Sequence, residues 1–166
     1  MKKRWICLFV ENEIGVLARI SGLFSSKSYN IESLTVGTTE DPTISRMTIS
    51  MISDDKTFEQ IKKQLNRSVE VIKVVDYTTV PIYMKEILYV KVLSCSEKDK
   101  SEIFRIAQVY GLKVIDYNKN SVIVEWVEKE SKIDEMIELL KNTFPNRVEI
   151  VRGGSVAIES ISVSNR

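Results

Sequence analysis

Residues 4–24, RWICLFVENEIGVLARISGLF, decide the fold. Arg4 to Val10 is a compact apolar run, Glu11 to Gly15 is polar and turn-forming, and Val16, Leu17, Ile20, Leu23 and Phe24 recur at helical spacing. The order is strand, loop, helix. Asn30 to Thr38 and Thr43 to Ile52, rich in Ile, Val, Thr and Met, flank the turn-forming Thr39-Glu40-Asp41-Pro42, which predicts an antiparallel hairpin. Asp54 and Asp55 offer caps to a helix with Phe58, Ile61 and Leu65 on one face, and Val69 to Tyr77 follows as a β-branched strand. The unit is βαββαβ.

After Thr78 to Met84, which contains Pro81, the series restarts with a strand over Glu86 to Leu93. Ser96 with Asp99 three residues on predicts a capped helix burying Ile103, Ile106, Ala107 and Tyr110, and Gly111 ends it. Leu112 to Tyr117 and Ser121 to Val127 form a hairpin around Asn118 and Asn120. Ile133, Met136, Ile137 and Leu140 stripe a last helix, and Arg147 to Val151 supplies the last strand. The expectation is an α+β chain of two tandem ferredoxin-like βαββαβ modules with antiparallel sheets: residues 1–78, a linker at 79–85, a second module at 86–152 and a tail at 153–166. The tail is Ser-rich with Val156, Ile158, Ile161 and Val163 interleaved, and its sequence leaves open whether it docks. Each module leaves one sheet face and two edge strands to be covered, so at least a dimer is expected.

Composition narrows the function. With 43% hydrophobic and 28% charged residues the chain is globular, and its net charge of +1 gives no field to steer it onto nucleic acid or an anionic membrane. Met1 to Arg4 begins like a charged leader, but the apolar run Trp5 to Val10 is too short for one and ends in Glu11-Asn12-Glu13, so export and membrane insertion are not expected. Cys7 and Cys95 stand alone in apolar surroundings and read as core residues of a reduced, cytoplasmic chain. There is no histidine, which removes the commonest general base, the His-dependent triads and the usual zinc sites. Nucleotide-phosphate loops, EF-hand loops and nucleophile elbows are absent as well. No catalytic residue and no metal ligand is assigned.

One loop could bind. Glu11-Asn12-Glu13-Ile14-Gly15 runs straight into a helix at Val16-Leu17, and helix N-terminal N–H groups beside a glycine can hold a small carboxylate. The plain alternative is that Gly15 only permits a turn and Asn12 only caps it. The matching loop of the second module, Ser94 to Lys98, has no glycine. Arg46, in an otherwise apolar strand, reads as a solvent-facing residue or as an anion or partner contact.

Glu11 to Ile20, then Gly22-Leu23-Phe24, Tyr29 to Val36 and Asp41 to Ile49 closely resemble the small regulatory subunit of acetolactate synthase, also called acetohydroxyacid synthase, over roughly residues 4–77. The first module is similar to its ACT domain, although Ile14 stands where many such loops carry proline. The second half resembles the family in length, layout and its Arg152-Gly153-Gly154 ending. The resemblance implies a homodimer that binds a branched-chain amino acid, usually valine, between ACT modules. Asn12, Ile14, Gly15, Val16 and Leu17 would come from one subunit, and Asn30 and Ile31 from its neighbour. It further implies a separate catalytic large subunit carrying thiamine diphosphate, Mg and often FAD, which this chain activates and renders sensitive to feedback, while itself holding no cofactor. An ACT-type sensor for another enzyme, or a small ferredoxin-like enzyme, remain as alternatives.

Overall fold

The computed structural model describes residues 1–161; Val163 and the rest of the tail's end lie outside the described residues. The chain divides into two compact units, Met1–Tyr83 with Ser155 onward, and Met84–Gly154. The first contains β1 (Lys2–Glu11), α1 (Val16–Ser26), β2 (Ser33–Thr38), β3 (Ile44–Ser53), α2 (Asp55–Leu65) and β4 (Val71–Asp76). Its antiparallel sheet runs β2-β3-β1-β4, so the βαββαβ expectation holds. Alternation along β1 and β3 sends Ile6, Leu8, Val10, Met47, Ile49 and Met51 to the helical side, where they pack with Val16, Ile20 and Phe24 of α1 and Phe58, Ile61 and Leu65 of α2. Burying each such side chain contributes roughly 1.5–3 kcal/mol. Asp54 caps α2 by accepting from Thr57 N–H at 2.8 Å.

The second unit holds β5 (Ile82–Val92) from Met84 onward, α3 (Glu97–Tyr110), β6 (Lys113–Tyr117), β7 (Val122–Glu128), α4 (Glu130–Thr143) and β8 (Val148–Arg152), in the sheet order β6-β7-β5-β8. Ser96 and Asp99 form a reciprocal capping box on α3, and Gly111, at φ 72°, closes it in the left-handed region that glycine adopts without strain. Tyr110 departs from expectation: it is half exposed, whereas Lys100, Ile103, Ile106 and Ala107 of the same helix are buried.

The Arg152-Gly153-Gly154 ending serves this unit's own closure. Arg152 bonds the buried carboxylate of Glu86 at 2.9 Å and Asp134 at 2.7 Å. Gly153 N–H donates to Ile87 O at 3.0 Å, and a side chain there would meet Ile87 Cγ2 at 3.0 Å.

Two boundaries differ from the sequence reading. The expected linker at 79–85 is partly strand, because β5 starts at Ile82 and extends the β-branched run backwards. The tail is structured in its first part: it forms β9 (Val156–Glu159), and Ser160 N–H donates to Pro81 O at 3.0 Å. No helix among the described residues is long and apolar enough to cross a membrane.

Candidate functional site

β1 delivers the chain to Glu11, opposite Ile44 of β3, and the loop that follows is tied down before α1 begins. Asn12 N–H donates to Thr43 O at 2.7 Å. Its side-chain Nδ2 donates to Pro42 O at 2.9 Å, and its Oδ1 accepts from Ser45 Oγ at 3.0 Å. Asn12 therefore does not cap α1; it fastens the loop to the β2–β3 turn. That turn is itself braced: Asp41 accepts from the Thr43 hydroxyl at 2.7 Å and the Thr43 N–H at 2.9 Å, which hold its carboxyl below the usual range.

Gly15 is the N-cap of α1, at φ 87° and ψ −8°. A non-glycine residue would be strained in this left-handed conformation. No side chain caps the helix and no acidic residue lies in its first turn. Val16 N–H reaches Glu13 O at 3.3 Å. The positive end of α1 thus meets solvent with its field uncompensated by a side chain, an arrangement able to receive a small carboxylate.

The expected residues divide into two groups. Asn12, Ile14, Gly15, Val16 and Leu17 are contiguous, but their side chains face different ways: Ile14 is fully exposed, Leu17 half exposed, and Val16 is in the core, leaving only its backbone for a ligand. Asn30 and Ile31 lie beyond the far end of α1. Eleven helical residues span about 16 Å, so one chain does not bring them to Gly15. Asn30 is exposed and donates to Glu32 Oε1 at 3.0 Å, and Ile31 packs partly against the core.

Arg19 was missed as a loop neighbour, although its place four residues after Gly15 puts it on the same helix face. A Cβ on Gly15 would stand 3.2 Å from Arg19 Nη1, and Arg19 pairs with Glu70 at 2.5 Å. Arg46 is on the outward side of its strand, as its position suggested, yet it is not left to solvent: its guanidinium donates to Cys7 Sγ at 3.2 Å, to the Tyr77 hydroxyl and to Ala157 O at 2.8 Å. Nothing in the local pattern pointed to Ala157, a partner 111 residues away. Both cysteines are buried, as expected. Among the described residues no three His, Cys, Asp or Glu side chains gather as a metal site.

Comparison with known proteins bears on both units. Residues 6–73 match the profile of the AHAS small subunit-like ACT domain, and residues 85–161 match that of the small subunit of acetolactate synthase. The chain is 43% identical over 159 residues to an acetolactate synthase small subunit from Aquifex aeolicus, covering 95% of this chain and 81% of that one. It is 41% identical over 137 residues to a probable acetolactate synthase small subunit from Methanothermobacter thermautotrophicus, covering 82% of each. The crystal structure of an acetolactate synthase small subunit from Thermotoga maritima superposes with a TM-score of 0.85 at 34% identity, covering 96% of this chain and 98% of that one.

Proposed function

Since the chain belongs to the family of acetolactate synthase small subunits, we propose that it activates a catalytic large subunit and makes it sensitive to feedback by a branched-chain amino acid, with valine the first candidate. The observation that carries the effector half of this reading is the N-terminus of α1, opened by Gly15 in a left-handed conformation and left without a side-chain cap. Its amides suit the carboxylate of a free amino acid, and the exposed apolar side chains of Ile14 and Leu17 stand beside it. Asn30 and Ile31, about a helix length away, complete the site from a second copy, so the effector lies where two protomers of a homodimer meet.

A ligand held between protomers stabilises their association by mass action and biases the arrangement offered to the catalytic partner. Catalysis rests with that partner, which carries thiamine diphosphate, Mg and FAD; this chain acts as a cytoplasmic regulatory subunit with no cofactor of its own. The test is to mix the purified chain with a family catalytic subunit and assay acetolactate formation with and without valine, leucine and isoleucine. Activation together with inhibition by one of the three supports the reading. Absence of activation across matched catalytic subunits refutes it.

A further inference from the structure

The face of the first sheet turned away from α1 and α2 carries Cys7 and Phe9 of β1 and Arg46 and Thr48 of β3, by alternation with the core residues. Across this face runs the segment 155–159. Thr35 Oγ1 donates to Ser155 O at 2.7 Å and Arg46 Nη2 to Ala157 O at 2.8 Å. The two carbonyls are two residues apart and so point the same way from an extended chain. Ser155 and Ala157 are 1% and 4% exposed, whereas Val156 and Ile158 are 67% and 59% exposed. The face therefore reads backbone carbonyls and admits small side chains at alternate positions. Arg46 grips from beneath, held by Cys7 Sγ and the Tyr77 hydroxyl and stacked 5.3 Å from the centre of the Phe9 ring. The same stretch of β3 holds the candidate effector loop: Ser45, next to Arg46, donates to Asn12 Oδ1.

We infer that this sheet face is a binding surface for an extended segment with small alternate residues, occupied by the chain's own residues 155–159, and that seating of the segment is coupled to the effector loop through the Ser45-Arg46 pair. The coupling rests on the effector reading proposed above; the seating does not. Ser45 and Arg46 are consecutive on one strand and project to opposite faces, so a displacement of that peptide reaches both Asn12 and Ala157. Couplings of this kind range from about fivefold to 150-fold in affinity.

Cys7 reports on the seating, being fully buried and bonded to Arg46, while Cys95 in the second unit is a buried internal control. The full-length chain is treated with an uncharged alkylating reagent, and modification at each cysteine is followed by mass spectrometry in wild type, Arg46→Met and Ala157→Glu. Both variants should raise the Cys7 rate by about tenfold or more, with the Cys95 rate and far-ultraviolet circular dichroism unchanged. Loss of the neighbouring cation by itself slows thiol reaction, so acceleration in Arg46→Met reports exposure. An unchanged Cys7 rate in folded Ala157→Glu overturns the seating, and this variant decides alone if Arg46→Met does not fold. Saturating valine should change the wild-type Cys7 rate by about threefold or more, a response lost in Ala157→Glu. Valine that binds wild type by calorimetry yet leaves the Cys7 rate unaltered overturns the coupling. No binding of valine, leucine or isoleucine removes the effector reading and the coupling with it, while the variant rates still decide the seating.

Discussion

Ser45 Oγ donates to Asn12 Oδ1 across 3.0 Å, so a buried strand residue fixes the loop that opens α1. Asn12→Ala removes this bond and the one to Pro42 O, and should lower stability by about 1–2 kcal/mol. Ser45→Ala removes one bond and should cost about half as much. Denaturant unfolding measures both. If the loop is organised by this bond, effector affinity drops in each variant, and full affinity in Ser45→Ala would show that it is not.

At Gly15 charge can be separated from backbone strain. Asparagine tolerates the left-handed region better than most residues and is nearly isosteric with aspartate. Gly15→Asn and Gly15→Asp share the strain of a side chain at φ 87°, and only Gly15→Asp adds a repulsion of up to about 4 kcal/mol toward a carboxylate some 4 Å away. Calorimetry should therefore show the Asp variant binding orders of magnitude more weakly than the Asn variant. Equal affinities would place the effector away from these amides.

The separation of Gly15 and Asn30 along α1 makes subunit mixing informative. A Gly15→Asp chain and an Asn30→Ala chain should each bind effector poorly as homodimers. Their mixed dimer brings an intact Gly15 against an intact Asn30 once, and should recover one of its two sites. No recovery, in a mixture shown by native mass spectrometry to contain the heterodimer, would mean that each site lies within a single protomer.

In the second unit, Glu86 is buried with Arg152 as its partner at 2.9 Å. Arg152→Met removes this ion pair together with the one to Asp134 and should destabilise the unit, by up to about 3–5 kcal/mol. Replacing both, as Glu86→Leu with Arg152→Met, should recover much of the loss. A single variant as stable as wild type would mean that Glu86 finds compensation elsewhere.

Asp99 gives the second unit an acid limb. Hydrogen bonds from Arg147, then from the N–H and hydroxyl of Ser96, hold its carboxyl well below the usual range. Because the folded pKa is depressed, this stabilisation is complete above the unfolded value near 4 and is lost as pH falls toward the folded value. Asp99→Asn should flatten the decline in melting temperature below about pH 4 while lowering stability at neutral pH. An acid limb unchanged by the substitution would assign it to other carboxylates.

The helices and strands of both units were legible in the sequence because their causes are local. Apolar spacing of 3.6 or 2, the Asp54 cap, the Ser96 and Asp99 box and Gly111 each act within a few residues, and together they order both modules. Gly15 was legible in the same way, as a helix start that glycine permits. Only the tertiary structure decided that Asn12 braces a neighbouring turn instead of capping α1, that Asn30 stands a helix length from Gly15, and that Arg46 receives the carbonyl of Ala157. Those outcomes depend on strand register and on how distant segments pack. One-dimensional spacing carries the direction in which a side chain points, but not the group that it meets there.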